Sequence, residues 1–176
     1  AMLGDLAKTD STGQRIDKLS STARTAVKSL DEIVWAVNPG NDTLSHLIDY
    51  AGQFATDYLR AAGIRCLLDV SEHTTRQEVP ANVRHNVFLV IKEALQNIVK
   101  HAHASEVWLR IAATERELRV AIEDNGCGFD RLPADAWADG LRNMRQRLAE
   151  IGGQCAIQSR AGQGTIITFE LPWPVH

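Results

Sequence analysis

Four polar side chains recur along one predicted helix at spacings that bring them together. They are Glu93, Asn97, Lys100 and His101, which follow one another at steps of four, three and one residues. On a helix with 3.6 residues per turn, these steps place a carboxylate, an amide, an ammonium and an imidazole on neighbouring positions. Carboxylate and amide oxygens suit a hydrated Mg²⁺, and Lys and His suit phosphates. The pattern favours a metal–nucleotide site, although solvated helix surfaces also carry it.

Two further motifs combine turn-forming glycines with an acceptor group. Asp124 ends a predicted strand and begins DNGCGFD, in which Gly126 and Gly128 let the backbone bend and approach a flat base closely. A carboxylate at the end of a core strand is a suitable acceptor for the amine of adenine. The alternative is a simple strand-to-loop turn. The segment 161–165, AGQGT, has the same two interpretations: a ligand-facing loop or a hairpin turn.

The helix that carries the first motif is predicted to run from Val83 to Ser105. Its apolar residues recur at three- and four-residue steps, as expected for a helix with one buried side. These residues are Val87, Val90, Ile91, Ala94, Leu95, Ile98 and Val99. Asn97 lies off this apolar stripe in the sequence pattern, so replacing it with Ala is expected to leave the fold intact.

The order of predicted elements from residue 42 onward indicates the fold class. A broad-faced helix is followed by the strand IRCLLDVS, the central helix, and two strands, SEVWLRIAAT and ELRVAIEDN. The segment GCGFDRLPADAWADG reads as a loop, GLRNMRQRLAEIGG as a helix, and QCAIQSRAGQGTIITFELP as a hairpin. One mixed sheet with helices on one face, a two-layer α+β sandwich, accounts for this order.

A narrow apolar seam precedes the sandwich. From Gln14 to Asn38 it keeps a heptad register through Ile16, Leu19, Ala23, Ala26, Leu30, Ile33 and Val37. Such a seam is typical of a coiled-coil-like helix within a dimerising hairpin, the alternative being an ordinary amphipathic helix. Asn38-Pro-Gly is expected to end the helix. The sequence therefore divides into a helical part, residues 1–40, and a globular part, residues 41–176.

Composition excludes several classes of function. The chain has 176 residues, 44% of them hydrophobic, which is enough for a packed core. Its 19 basic and 22 acidic side chains are mixed and give a net charge of −3, so no basic surface for nucleic acid is expected. Three cysteines without a C-x-x-C pair argue against a disulfide framework or a zinc site and fit a reducing cytoplasm. No apolar run reaches membrane-spanning length.

The motifs occur in one order: E-x-x-x-N-x-x-K-H, D-x-G-x-G-F, G-L-x-N-M-x-x-R and G-x-G-T. Over residues 81–172 this order resembles the ATP-binding domain of sensor histidine kinases in the GHKL superfamily. The segments EALQNIVKHA and GLRNMRQRL are similar to those of the subfamily of nitrate-sensor and degradation-sensor kinases. The resemblance implies a Bergerat-type sandwich in which ATP lies between the central helix and a mobile lid.

The resemblance also implies a role for each motif residue. Asn97 would ligate Mg²⁺, Glu93 would support the metal or the attacking group, and Asp124 would take the adenine amine. Lys100 and His101 would face the phosphates, and Gly126 and Gly128 would form the hinge of the lid. Gly140 and Leu141 would open the lid helix on the phosphates. The adenine side would be closed by Gly162, Gly164 and Thr165. The family usually has G-x-G-L before the lid helix, whereas this chain has Ala138 in place of the first glycine. That departure puts lid closure and phosphate affinity in question.

The implied function is the catalytic core of a cytoplasmic sensor, of which a membrane anchor could be another part. Such a core transfers the γ-phosphoryl of ATP to a histidine for relay to a response-regulator aspartate, and it works as a homodimer through its N-terminal helices. The family's acceptor histidine lies on the first hairpin helix in a context resembling R-x-x-H-D-x-L. Only MLGDLA corresponds to that helix here. No acidic residue follows any of the six histidines, His46, His73, His85, His101, His103 and His176, so the acceptor is expected outside this chain.

Two alternatives stay open at this point. One is a GHKL protein-serine kinase of the anti-sigma type, against which the heptad helix argues because that type needs no bundle hairpin. The other is a degenerate ATP-sensing or dimerisation module, which the missing lid glycine motivates. Transfer of labelled phosphate to a histidine-containing helix separates the kinase from the module.

Overall fold

The computed structural model describes residues 30–72, 77–130 and 136–172. Residues 30–37 are the described part of helix α1, and a 3₁₀ turn follows at Pro39–Asn41. The other helices are α2, Leu44–Ala61; α3, Ala81–Asn97; and α4, Ala136–Glu150. The strands are β1, Arg65–Glu72; β2, Glu106–Ala113; β3, Glu117–Asp124; β4, Gln154–Ser159; and β5, Thr165–Pro172. The predicted MLGDLA helix and most of the heptad segment lie outside the described residues.

The five strands form one mixed sheet in the order β1-β2-β3-β5-β4. Strand β1 pairs with β2 in parallel, and the remaining pairs are antiparallel. A parallel pair needs a crossover connection, and α3 supplies it between β1 and β2. The element order and the α+β class predicted from the sequence are confirmed.

Alternation along the central strands directs one face of the sheet toward the helices. On β2, Val107, Leu109, Ile111 and Ala113 are buried, and the corresponding residues of β3 and β5 complete the core. The opposite face carries cross-strand ion pairs such as Arg110–Glu123 at 2.6 Å. The helices therefore lie on one face, as the period-2 pattern predicted.

The central helix is shorter than the sequence predicted. Helix α3 ends at Asn97, a π-helical turn covers Ile98–Ala102, and His103 adopts a left-handed φ of 52° that directs the chain into β2. The expectation of one helix from Val83 to Ser105 is wrong in its last part. A π turn holds more residues per turn than an α-helix, so the 3.6-residue phase is lost after Asn97.

Helix α4 begins earlier than predicted. It starts at Ala136, so Gly140 lies one turn inside the helix rather than opening it. Ala is the strongest helix former, and an acidic Asp139 in the first turn complements the positive end of the helix dipole. Its carboxylate also pairs with Arg142 at 2.8 Å. The assignment of residues 136–139 to a loop was therefore wrong.

Helix α1 presents its heptad positions outward. Leu30, Ile33, Val34 and Val37 are between 46% and 61% exposed, which is unusual for aliphatic side chains in one row. The predicted dimer and the boundary between residues 40 and 41 stay predictions. In the part of the chain that the structure describes, no helix has the length and apolar character needed to cross a membrane.

Candidate nucleotide site

Asp124 lies at the end of β3 and is only 5% exposed. Its Oδ1 accepts a hydrogen bond from the backbone N–H of Gly126 at 2.8 Å. Burial raises the pKa of Asp124, hydrogen bonds from the backbone of Gly126 and Thr165 oppose that rise, and nearby Glu123 adds to it. A carboxylate has about four lone-pair sites, so Asp124 can accept a further hydrogen bond from an amine beside those from Gly126 and Thr165.

If Asp124 binds the base as the sequence predicts, its raised pKa sets how nucleotide binding depends on pH. The ionised carboxylate is the stronger acceptor, so affinity is full above the raised pKa and falls as the pH drops through it. We therefore expect ADP affinity to decline on acidification sooner than an ordinary Asp would cause. Calorimetric titrations from neutral to mildly acidic pH check this, with circular dichroism to confirm that the fold persists. A constant affinity down to the ordinary Asp range would contradict it.

Asn97 is also buried, with 6% exposure. The expectation that its side chain lies off the buried face is wrong, because α4 packs over this side of α3: a Cβ on Gly140 would lie 3.3 Å from Asn97 Nδ2. Among the described residues, Nδ2 has no hydrogen-bond partner. An unsatisfied buried N–H donor costs about 1–3 kcal/mol, so such a group is retained where an acceptor on a ligand, such as a phosphate oxygen, completes it. Oxygen donors from an amide and the nearby Glu93 fit Mg²⁺.

A small apolar cavity adjoins Asn97 on the Asp124 side. Its volume is about 10 Å³. It is lined by Ala94, Asn97, Ile98, Ala102, Asp124, Phe129, Leu141, Thr165 and Ile167. A space of this size holds about one water molecule, so a purine enters only when residues that line the cavity move apart. Asp124 and Thr165, both predicted on the adenine side, thus line one cavity. Leu141 of α4, predicted beside the phosphates, lines the same cavity instead.

A larger polar cleft lies between α3 and α4 on the Glu93 side. It has a volume of about 210 Å³. Its lining residues are Leu89, Lys92, Glu93, Gln96, Asn143, Met144 and Arg147. Gly140 lies between the cavity and the cleft, because a Cβ at this position would overlap Glu93 Oε1 and approach Asn97. A nucleotide whose base sits beside Asp124 can therefore extend along α3, past Asn97, toward Glu93.

Two glycines shape the backbone behind Asp124. A Cβ at Gly126 would overlap the carbonyl oxygen of Ala102, and one at Gly164 would overlap that of Asp124 itself. Gly164 also has a φ of 75°, which side chains disfavour. Both glycines therefore allow close packing of backbone against backbone at the acceptor strand, which a turn also requires, and their ligand-facing role stays a prediction.

Ser159 is a site residue that sequence reasoning missed. Its Oγ accepts a hydrogen bond from the N–H of Phe129 at 2.9 Å and donates one to the carbonyl of Gly164 at 3.0 Å. It also lies 2.9 Å from Thr165 Oγ1. A second anchor joins Asp130 Oδ1 to the N–H of Ala161 at 3.0 Å. These bonds tie Phe129 and Asp130, which begin the lid loop between β3 and α4, to the β4–β5 hairpin. The sequence signal was weak: a hydroxyl at an inward position of a strand end.

The remaining predicted residues lie at the edges of the site. Lys100 and His101 are exposed on the π turn and contribute to neither of the two cavities. Gly128, with a φ of 55°, lies in the lid loop, and Gly162 in the β4–β5 turn donates its N–H to the carbonyl of Cys127 at 2.6 Å. The structure thus brings the core of the predicted set together and leaves Lys100 and His101 at its rim.

Comparison with known proteins agrees with this geometry. The profile of the family described as histidine kinase-, DNA gyrase B-, and HSP90-like ATPase matches residues 82–175. The histidine-protein kinase/phosphatase DegS of Brevibacillus brevis is 35% identical over 96 residues, which are 54% of this chain and 25% of the relative. The nitrate/nitrite sensor protein NarX of Escherichia coli K12 is 31% identical over 93 residues, 52% of this chain and 16% of NarX. The chain thus spans about a quarter or less of these relatives.

Solved structures show the same fold. The histidine kinase domain of the blue-light activated histidine kinase EL346 from Erythrobacter litoralis superposes with a TM-score of 0.63 at 24% identity. That match covers 88% of this chain and 81% of the other. The candidate site described above is built from the segments that the family profile covers, and those segments match sensor kinases in sequence. The chain therefore belongs to the histidine kinase-, DNA gyrase B-, and HSP90-like ATPase family, as an ATP-binding domain of the sensor histidine kinase type.

Proposed function

We propose that this chain is the Mg·ATP-binding catalytic core of a sensor histidine kinase, which transfers the γ-phosphoryl group to a histidine. The observation that carries the proposal is the buried Asn97 Nδ2, which lies beside the Asp124 cavity and has no hydrogen-bond partner among the described residues. A buried N–H donor without a partner is costly for stability alone and is sensible where a phosphate oxygen accepts from it, while the oxygen of the same amide is free to face the metal.

Each residue then has a physical task. Asp124 accepts the adenine amine and fixes the base, Asn97 and Glu93 hold Mg²⁺, and Lys100 and His101 approach the phosphates from the rim. Bound Mg²⁺ would neutralise phosphate charge. Glu93 is also suited to hold the N–H of the acceptor imidazole while its other nitrogen bonds to phosphorus and the bond to the ADP oxygen breaks. Catalysis is then mainly positioning and charge neutralisation.

The partners follow from this reaction. The phosphohistidine would pass its phosphoryl group to a response-regulator aspartate, and the exposed heptad face of α1 suits a homodimer. The free thiols of all three cysteines and the use of ATP fit the cytoplasm.

Labelled phosphate transfer tests the proposal. The chain is incubated with γ-labelled ATP, Mg²⁺ and a separate histidine-containing helical hairpin of a sensor kinase. We expect label on the hairpin that acid removes and base does not, since phosphohistidine is acid-labile and phosphoserine is not. Asn97→Ala serves as the inactive control. Base-labile label would favour a serine kinase, and nucleotide binding without transfer would favour an ATP-sensing module.

The ATP-sensing alternative has one specific observation in its favour. Ala138 replaces the usual first lid glycine, and α4 is already helical from Ala136 onward. If the lid still responds to nucleotide, the emission of Trp137 should change when Mg·ADP binds, because α4 carries both Trp137 and the cavity-lining Leu141. Fluorescence titration measures this, and Trp137→Phe identifies the signal among the four tryptophans. Unchanged Trp137 emission at saturating nucleotide would argue for a fixed lid.

A further inference from the structure

An ion pair couples the helix before the sandwich to the cleft beside Glu93. Lys92 Nζ contacts both carboxylate oxygens of Glu32, at 2.6 and 2.7 Å. The side chains are 21% and 10% exposed respectively, so solvent and salt screen this pair far less than a surface pair. Glu32 and Lys92 lie 60 residues apart in the chain, so the pair depends on how α1 sits on α3.

Two further contacts hold α1 in its position against α2 and α3. The buried guanidinium of Arg84, 3% exposed, donates hydrogen bonds to the carbonyl oxygens of Ala36 and Asn38, where α1 ends. The ring of Trp35 stacks on Tyr50 with centroids 3.9 Å apart. A cation on the last carbonyls of a helix is favourable because these groups have no partner within the helix. Helix α1 is therefore held at its end and along its side.

Lys92 also lines the polar cleft, together with Glu93 and Arg147. A nucleotide bound with its base at Asp124 and its chain past Asn97 brings its terminal phosphate to this cleft. Lys92 would then lie beside the γ-phosphate, but its ammonium group is already bound by the carboxylate of Glu32. Glu32 and the phosphate are competing anions for the same ammonium group.

We propose that Glu32 is a positioning residue that withholds Lys92 from the γ-phosphate, so that ATP affinity depends on how α1 is seated. This inference rests on the proposed nucleotide site. Movement of α1 away from α3 would release Lys92 toward the cleft. The effect is specific for the third phosphate, because ADP does not reach as far along α3 as ATP.

Nucleotide titration of paired variants tests this. Glu32→Gln should bind Mg·ATP about five- to twentyfold more tightly than the unmodified chain does, with ADP affinity changed less than about twofold. Asp31→Asn is the matched control, because it removes the same charge from the preceding residue of α1, whereas the ion pair of Lys92 is with Glu32. It should leave the ratio of ATP to ADP affinity unchanged. Adding Lys92→Gln to Glu32→Gln should abolish the gain.

The outcomes separate the inference from the proposed function. Failure of the unmodified chain to bind ATP would overturn both. Two outcomes with an unmodified chain that binds ATP would overturn only the role of Glu32. One is the same ratio of ATP to ADP affinity in Glu32→Gln and Asp31→Asn, and the other is weaker ATP binding in Glu32→Gln. Thermal unfolding is recorded for each variant. If Glu32→Gln does not fold, Glu32→Asp carries the test, because the shorter carboxylate loosens the pair without leaving Lys92 unpaired and should show the same ATP preference at smaller size.

Discussion

Asp124→Asn is expected to weaken ATP binding strongly. The neutral amide loses the charge-assisted hydrogen bond to the adenine amine, a loss of about 1.5–3 kcal/mol. This corresponds to a roughly 10- to 150-fold weaker affinity. The amide must also keep its oxygen toward Gly126, which now donates to Oδ1 at 2.8 Å, so the group facing the base can become a donor. Isothermal calorimetry with Mg·ATP measures the change.

The same substitution should not destabilise the fold. Because burial raises the pKa of Asp124, the folded chain binds this proton more tightly than the unfolded chain does. As the pH rises from the ordinary Asp pKa through the raised pKa, Asp124 loses its proton and the free energy of unfolding falls. This loss of stability persists at neutral pH. Asp124→Asn removes it and should unfold at the same or a higher temperature. Asp69→Asn, at an exposed position of β1, is the control. Unchanged ATP affinity in Asp124→Asn would refute the assignment of the adenine acceptor.

Asn97→Ala is expected to remove the Mg²⁺ dependence of nucleotide binding. Without the amide oxygen the metal loses a ligand between the two cavities, so ATP affinity with Mg²⁺ should fall to the level measured with a chelator. Stability should hold or rise, because the substitution removes a buried N–H group that has no described partner and costs about 1–3 kcal/mol. Titration with and without Mg²⁺, together with thermal unfolding, measures both effects.

The control for Asn97 lies on the same helix. Asn86 donates a hydrogen bond to the carbonyl of Asn82 at 3.0 Å, two turns and more away from the site. Asn86→Ala should leave nucleotide binding and its Mg²⁺ dependence intact. A collapse of thermal stability in Asn97→Ala, with binding unaffected after correction for unfolding, would mean that the amide is structural.

The sheet and the acceptor strand could be predicted from local sequence. Alternation along β2 and β3 fixes which side chains face the helices, and Thr43 before α2 is a local cap that accepts from His46 N–H at 3.4 Å. Asp124 followed by Gly126 needs only the strand end and the turn chemistry of its neighbours. These features depend on residues close together in the chain, which is why pattern and spacing were sufficient.

The features that sequence could not predict depend on packing between distant elements. Asn97 is buried only because Gly140, 43 positions later, lets α4 approach α3. The pairing of Glu32 with Lys92 and the burial of Arg84 both depend on the packing of α1 against α3. The heptad pattern predicted only that α1 packs in a dimerising hairpin. The π turn at Ile98–Ala102 breaks a periodicity that the sequence continues. None of these has a local signal.

The most direct test of the account is a crystal structure of this chain with Mg²⁺ and a non-hydrolysable ATP analogue. We expect the adenine amine on Asp124, the metal on the side-chain oxygen of Asn97, Leu141 displaced from the cavity, and the terminal phosphate in the cleft beside Glu93. A nucleotide bound at saturating concentration on another surface, with the Asp124 cavity still closed by Leu141, would contradict the account.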